Sequence, residues 1–83
     1  LGLTRTLRSN KLPSFTVNAA AGQYIYYCVP TRYGTCSFSV GGFTGGFSLA
    51  VTTSFTNASG YTEDYYVYKS DNAGLGSTTV TVS

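Results

Sequence analysis

The chain lacks the residues on which most enzymes depend. Its 83 residues include no His, Met or Trp, and only 10% of them are charged. Without His, the Ser–His and Cys–His pairs that activate nucleophiles cannot form. The neighbouring acids Glu63 and Asp64 would point to opposite faces of a strand, so they cannot act as a close carboxylate pair. We therefore expect a protein that is not an enzyme and has no catalytic residues.

The same scarcity of charged and metal-binding residues argues against several kinds of partner. Two Cys residues without any His do not make a tetrahedral zinc site. Three of the five cations lie between Arg5 and Lys11, a basic stripe too short to neutralise several phosphates. No apolar run approaches the roughly 20 residues needed to span a bilayer. We expect no metal, no cofactor, no nucleic acid and no membrane span.

The residues that are abundant favour β-structure. The chain contains 13 Thr and 8 Tyr, which suit pleated sheets, and 10 Gly and 10 Ser, which suit tight turns. Many short strands separated by turn residues predict an all-β, antiparallel sandwich-like domain. Alternation and turn signals predict about seven strands: residues 3–8, 14–18, 24–29, 35–40, 47–56, 61–69 and 78–82.

Length sets the expected organisation of the chain. A chain of 83 residues predicts a single domain, residues 1–83, with a marginal core of its own. Because its first residue is Leu1, we expect a processed product or a part of a longer parent chain. A covalent cross-link such as a disulfide, or a partner subunit, would stabilise a domain with such a core.

The predicted strands differ in how their apolar residues alternate. In residues 47–56, Phe47, Leu49, Val51 and Phe55 alternate with polar or small residues, which predicts one core face and one solvent face. In residues 24–29 and 61–69 both faces are largely apolar. The second face must then meet a loop, another subunit or a ligand, unless its tyrosines are simply tolerated at the surface.

Two sequence features predict specific local structures. Cys28 and Cys36 flank a turn at residues 30–34, and a hairpin in which they face each other would allow a disulfide and imply an oxidising environment. The alternative is two buried thiols that pack as small hydrophobes. In the run 41–47 (GGFTGGF), the glycine pairs predict sharp turns or close packing, with Phe43 and Phe47 anchoring the ends. Residues 57–60 predict a hairpin turn.

Four aromatic and glycine-rich stretches carry a family resemblance. They are residues 24–27 (YIYY), 41–47 (GGFTGGF), 55–63 (FTNASGYTE) and 65–76 (YYVYKSDNAGLG). Together they cover most of residues 24–83, and they resemble a β-rich domain at the C-terminal end of bacteriophage tail-fibre and other virion structural proteins. The resemblance implies a virion or extracellular location and no catalytic residues. It also implies a homo-oligomer, for example a trimer, or assembly with other virion proteins.

This setting leads to a function and to candidate binding residues. We expect a tail-fibre module that contributes to host-surface attachment, because tyrosines offer rigid area and a hydroxyl for binding a glycan or a protein. Two alternatives are an architectural domain that decorates a capsid or sheath, and a carbohydrate-binding appendage of a secreted protein. The candidate binding residues are Tyr65, Tyr66 and Tyr68, with Arg32 and Tyr33 on a hairpin tip as a second exposed patch.

Overall fold

The computed structural model describes residues 14–83 as two antiparallel sheets packed face to face. The four-stranded sheet has the order β1-β7-β3-β4 and the three-stranded sheet has the order β2-β6-β5. The protein is therefore an all-β, sandwich-like domain, as predicted. The strands are β1 (Ser14–Ala19), β2 (Tyr26–Pro30), β3 (Phe38–Val40), β4 (Phe43–Thr44), β5 (Phe47–Thr56), β6 (Thr62–Ser70) and β7 (Gly76–Val82).

All six strands predicted within the described residues are present, and five of them have shifted ends. β5 has the predicted bounds, β1 ends one residue later than predicted, and β6 begins and ends one residue later. β2 begins at Tyr26 rather than at residue 24, because the Ile25 N–H donates to the Ser70 hydroxyl instead of a strand carbonyl. The predicted strand 3–8 and the cations from Arg5 to Lys11 lie outside the described residues.

The GGFTGGF run turns the chain twice and contains the short strand β4, which was not predicted. Gly41 and Gly42 both have positive φ, +58° and +86°, and form the two-residue loop between Val40 and Phe43. Gly46 leads from the four-stranded to the three-stranded sheet, and a Cβ there would lie 2.6 Å from Val40 Cγ2. The sharp turns were predicted correctly. Of the two anchoring phenylalanines, Phe47 is buried but Phe43 is 81% exposed.

The core is a small aromatic and aliphatic cluster between the sheets. Phe38 stands at its centre, with ring centroids 4.6 Å from Phe47, 5.0 Å from Tyr68 and 5.6 Å from Tyr27. Aromatic rings at these separations attract one another beyond the area they bury. Val80 and Val82 of the central strand β7 are fully buried beside them. The cluster ties β2, β5 and β6 to β3 and β7.

The predicted core face of β5 is wrong beyond its first residue. Phe47 is buried, but Leu49, Val51 and Phe55 are 50%, 53% and 63% exposed. The register against β6 shifts between Leu49 and Val51, so Val51 and Phe55 move to the face that points away from the four-stranded sheet. The second half of β5 is exposed on both faces.

The predicted disulfide between Cys28 and Cys36 is absent, and the predicted hairpin that would have placed the two cysteines opposite each other does not form. Cys28 lies in β2 opposite Val67 of β6. After β2, a 3-10 turn at Thr31–Tyr33 carries the chain across to the other sheet, so the two cysteines are not cross-strand neighbours. Cys36 is half-buried against the core, whereas Cys28 is exposed. The alternative of two buried thiols therefore also fails for Cys28.

Candidate binding surface

The outer face of the three-stranded sheet carries three exposed large apolar side chains, Tyr26, Val51 and Phe55. Alternation along β2 turns Tyr27 and Val29 into the core and leaves Tyr26 and Cys28 outside. Cross-strand partners share a face, so Val51 and Val67, which are paired, lie on the same outer side as Cys28. We define the outer face by these residues: Tyr26, Cys28, Val51, Thr53, Phe55, Glu63, Tyr65, Val67 and Lys69.

The outer face is unusually apolar for a solvent-facing surface. Tyr26 is 49% exposed, Val51 53% and Phe55 63%. Tyr65 and Val67 lie between them on the middle strand and are half-buried. Because contiguous exposed apolar residues commonly mark interaction sites, this face is the strongest candidate for a binding surface in residues 14–83.

A cation is paired with an aromatic ring at each end of this face. Near the start of β2, the Lys69 Nζ lies 4.1 Å from the centroid of the Tyr24 ring, which is itself 42% exposed. Beyond the end of β2, the guanidinium carbon of Arg32 lies 4.9 Å from the centroid of the Tyr33 ring. Such cation–π pairs hold the ring and the charge together at the surface.

The Arg32 cluster, made of Arg32, Tyr33, Tyr61 and Glu63, is a hydrogen-bonded polar group at the surface. The two terminal nitrogens of Arg32 donate to the hydroxyls of Tyr61 and Tyr33, both at 3.3 Å, and Arg32 forms an ion pair with Glu63. The hydrogen bond to Tyr33 and, more weakly, the charge of Glu63 raise the pKa of Arg32 above its ordinary value despite some desolvation. Arg32 therefore keeps its positive charge, and the two hydrogen bonds and the ion pair orient its guanidinium.

The turn after β5 places Tyr61 in this cluster. Asn57 Oδ1 accepts hydrogen bonds from the N–H groups of Ser59 and Tyr61 at 2.9 and 3.1 Å, and the Asn57 N–H donates to the Tyr61 carbonyl. Gly60 has a φ of +84° and completes the turn. The predicted hairpin turn at residues 57–60 is confirmed, and it holds the Tyr61 backbone next to Arg32.

The three tyrosines predicted as one binding patch lie on two sides of the sheet. Tyr65 is half-buried on the outer face. Tyr66 packs against the core from the inner face, with its ring centroid 6.4 Å from that of Tyr68. Tyr68 is only 5% exposed, and its hydroxyl accepts the Cys36 N–H at 2.9 Å. The expectation that Tyr68 lies at the surface is wrong, because its position in β6 faces the opposing sheet.

The second predicted patch, Arg32 and Tyr33, is at the surface in part. Arg32 is exposed, whereas Tyr33 is half-buried against the core and reaches Arg32 with its hydroxyl. Both residues lie on the 3-10 turn Thr31–Tyr33 and not on a hairpin tip. Sequence reasoning missed Tyr61 and Glu63 as their neighbours, since these lie about thirty positions away along the chain and no local pattern connects them.

The described residues contain neither a candidate metal site nor a membrane-spanning helix. Residues 14–83 contain no group of three or more His, Cys, Asp or Glu residues placed to hold a metal ion. No helix in that range has the length and apolar character needed to cross a membrane. No known protein family, curated protein or solved structure was found to match this chain. The resemblance to phage tail-fibre domains therefore remains a prediction from the sequence.

Proposed function

We propose that this chain is a non-catalytic attachment module of a virion fibre, which acts outside the cytoplasm. It binds a host-surface glycan or protein through the outer face and the adjoining Arg32 cluster. The observation that supports this proposal is the row of exposed aromatic and aliphatic side chains that ends at an oriented guanidinium. The virion setting comes from the family resemblance of residues 24–83.

The chemistry of this surface suits recognition of sugars or of a protein loop. Exposed tyrosine rings provide rigid apolar area at little conformational cost, and their hydroxyls add hydrogen-bonding groups. Arg32 contributes a planar set of N–H donors that its neighbours already orient. Because Glu63 balances its charge, the cluster favours a polar ligand over a strongly charged one.

A second candidate function is purely architectural, as a capsid or sheath decoration domain. The exposed Val51 and Phe55 favour the architectural function, because these side chains have no polar atoms that could form hydrogen bonds with a glycan. In that case the outer face would be buried against other virion proteins or against copies of this chain in a homo-oligomer. A carbohydrate-binding appendage of a secreted protein would use the same surface as the attachment module.

Binding by labelled 83-residue chains tests the attachment proposal. The probes are an array of immobilised bacterial surface polysaccharides and intact cells from a panel of bacterial species. Arg32→Ala and Tyr61→Ala should each weaken the binding shown by the unaltered chain about tenfold or more, because both remove side chains from the cluster. Thr16→Ala, on an exposed position of β1 in the other sheet, is the matched control and should leave binding unchanged.

Two results would refute the attachment proposal. If the unaltered chain binds neither polysaccharides nor cells, the architectural function is favoured instead. If Arg32→Ala and Tyr61→Ala bind as well as Thr16→Ala does, the binding site lies elsewhere on the molecule. Circular dichroism of each variant establishes that a loss of binding does not come from unfolding.

A further inference from the structure

Strand β5 forms a long free edge on the three-stranded sheet. Its ten residues (FSLAVTTSFT) pair with β6 on one side, and within residues 14–83 no strand lies along its other side. A strand edge of this kind presents backbone N–H and C=O groups to which another strand can bind. The second half of the strand, from Val51 to Thr56, is exposed throughout.

The other three sheet edges are shorter or carry features that discourage pairing. β4 has two residues, β2 has five and ends in Pro30, and β1 has six. Proteins commonly protect edge strands by making them short or by placing Pro or charged residues in them. β5 is the longest of the four and contains no Pro and no charged residue.

We propose that β5 pairs in an antiparallel direction with β5 of a second copy of this chain, about a two-fold axis through Thr53. In that register Val51 lies opposite the partner's Phe55, and Thr53 lies opposite the partner's Thr53. On the other face, Thr52 lies opposite the partner's Ser54. Aromatic–β-branched and Thr–Thr pairs are among the cross-strand combinations that stabilise sheets.

The pattern of β5 favours a second copy over an unrelated strand. A two-fold interface places the residues closest to its axis next to their own symmetry mates, so charges there would repel one another. β5 carries none, and the nearest acids are already engaged on β6. Asp64 accepts a hydrogen bond from Ser54 Oγ at 2.6 Å, and Glu63 is paired with Arg32.

Such pairing would join two three-stranded sheets into one continuous sheet. Because the two-fold axis runs perpendicular to the sheet, both outer faces lie on the same side of the dimer. Val51 and Phe55 then contact each other across the interface, which accounts for apolar residues at these exposed positions. If the proposed attachment function holds, the dimer presents two Arg32 clusters in one direction and binds a repetitive surface bivalently. The pairing itself does not depend on that function.

Sedimentation velocity on the 83-residue chain, over roughly two decades of concentration, tests the pairing. The unaltered chain should show a reversible monomer–dimer equilibrium. Thr53→Lys and Thr53→Glu should each weaken self-association about tenfold, because each sets two like charges opposite one another. An equimolar mixture of the two variants should recover association, since the axis then brings together opposite charges. Thr79→Lys, at an exposed position on the central strand β7, is the control and should behave like the unaltered chain.

Cysteine cross-linking tests the register directly. In a chain that also carries Cys28→Ser and Cys36→Ser, the thiols introduced by Thr53→Cys should form a disulfide-linked dimer when a mild two-electron oxidant is added, because the axis places them opposite each other. Thr79→Cys in the same background should not form that dimer efficiently. Circular dichroism establishes that each variant is folded.

Two outcomes would overturn the pairing: a chain that stays monomeric at every concentration, or self-association that Thr53→Lys leaves unchanged. Equal cross-linking from positions 53 and 79 would overturn the register. These failures are distinct from failure of the attachment proposal. A monomer that still binds cells refutes only the pairing, and a dimer that binds no cell or polysaccharide refutes only the attachment.

Discussion

Replacing Phe38 by Ala tests whether the small aromatic cluster between the sheets holds the sandwich together. Phe38 is 6% exposed, and three aromatic rings lie within 5.6 Å of its centroid. Removing a buried Phe typically costs about 3–5 kcal/mol through lost burial and the cavity left behind. Since a chain of this length has a total stability of about 4–12 kcal/mol, Phe38→Ala should remove a large part of it.

Phe43 provides a matched control in the same hairpin. It pairs with Val40 at the β3–β4 turn, but its side chain is 81% exposed and has little burial to lose. Phe43→Ala should therefore change the free energy of unfolding by less than about 0.5 kcal/mol. The comparison separates the effect of packing from the effect of removing a phenylalanine from this part of the chain.

Urea unfolding followed by circular dichroism measures both effects. With a slope of about 1–2 kcal/mol per molar urea, a loss of about 3–5 kcal/mol should lower the unfolding midpoint of Phe38→Ala by about 1.5–5 M. If Phe38→Ala is already unfolded without urea, Phe38→Leu should still fold and show a smaller decrease in the unfolding midpoint. The packing argument would be refuted if Phe38→Ala lost less than about 1 kcal/mol, or if Phe43→Ala were equally destabilising.

Two further predictions concern the glycine run and the cysteines. Gly46→Ala should destabilise the fold by about 2 kcal/mol or more, because the positive φ is strained for Ala and the added Cβ would lie 2.6 Å from Val40 Cγ2. Gly22 also has a positive φ, but no atom lies within 4 Å of the position of an added Cβ, so Gly22→Ala should lose clearly less stability in the same urea assay. Equal losses from the two variants would show that the contact with Val40 is not the cause. In the folded chain without reductant, a thiol reagent should modify Cys28 rapidly and Cys36 more slowly, because Cys28 is exposed and Cys36 is half-buried. A mass two units lower than that of the reduced chain, with no reactive thiol, would instead reveal a disulfide.

Local patterns along the chain predicted the strands well. The alternation of residues 47–56 predicted β5 with its observed ends, and the paired glycines predicted the turns on either side of β4. These features depend on neighbouring residues only, since alternation follows from the pleat and a positive φ follows from the absence of a Cβ. β4 itself, at two residues, is too short to produce an alternating pattern.

The faces of the strands were harder to predict. One extra residue at Ala50 shifts the register of β5 against β6, so Val51 and Phe55 point outward although their spacing from Phe47 matches a core face. Nothing in residues 47–56 marks the shift. Likewise, the spacing of Cys28 and Cys36 fits a hairpin, but the 3-10 turn between them sends the chain to the other sheet.

The sequence by itself determined that this protein is built of β-strands and tight turns, and that it has no histidine with which to catalyse. Tertiary structure alone decided which tyrosines are exposed. Alternation separates Tyr65 from Tyr66 and Tyr68, but which side becomes core depends on where the second sheet packs. The Arg32 cluster has the same origin, because Arg32 meets Tyr61 and Glu63 only once β6 lies beside the end of β2. Contacts between residues far apart in the chain decide such features, and local preferences do not encode them.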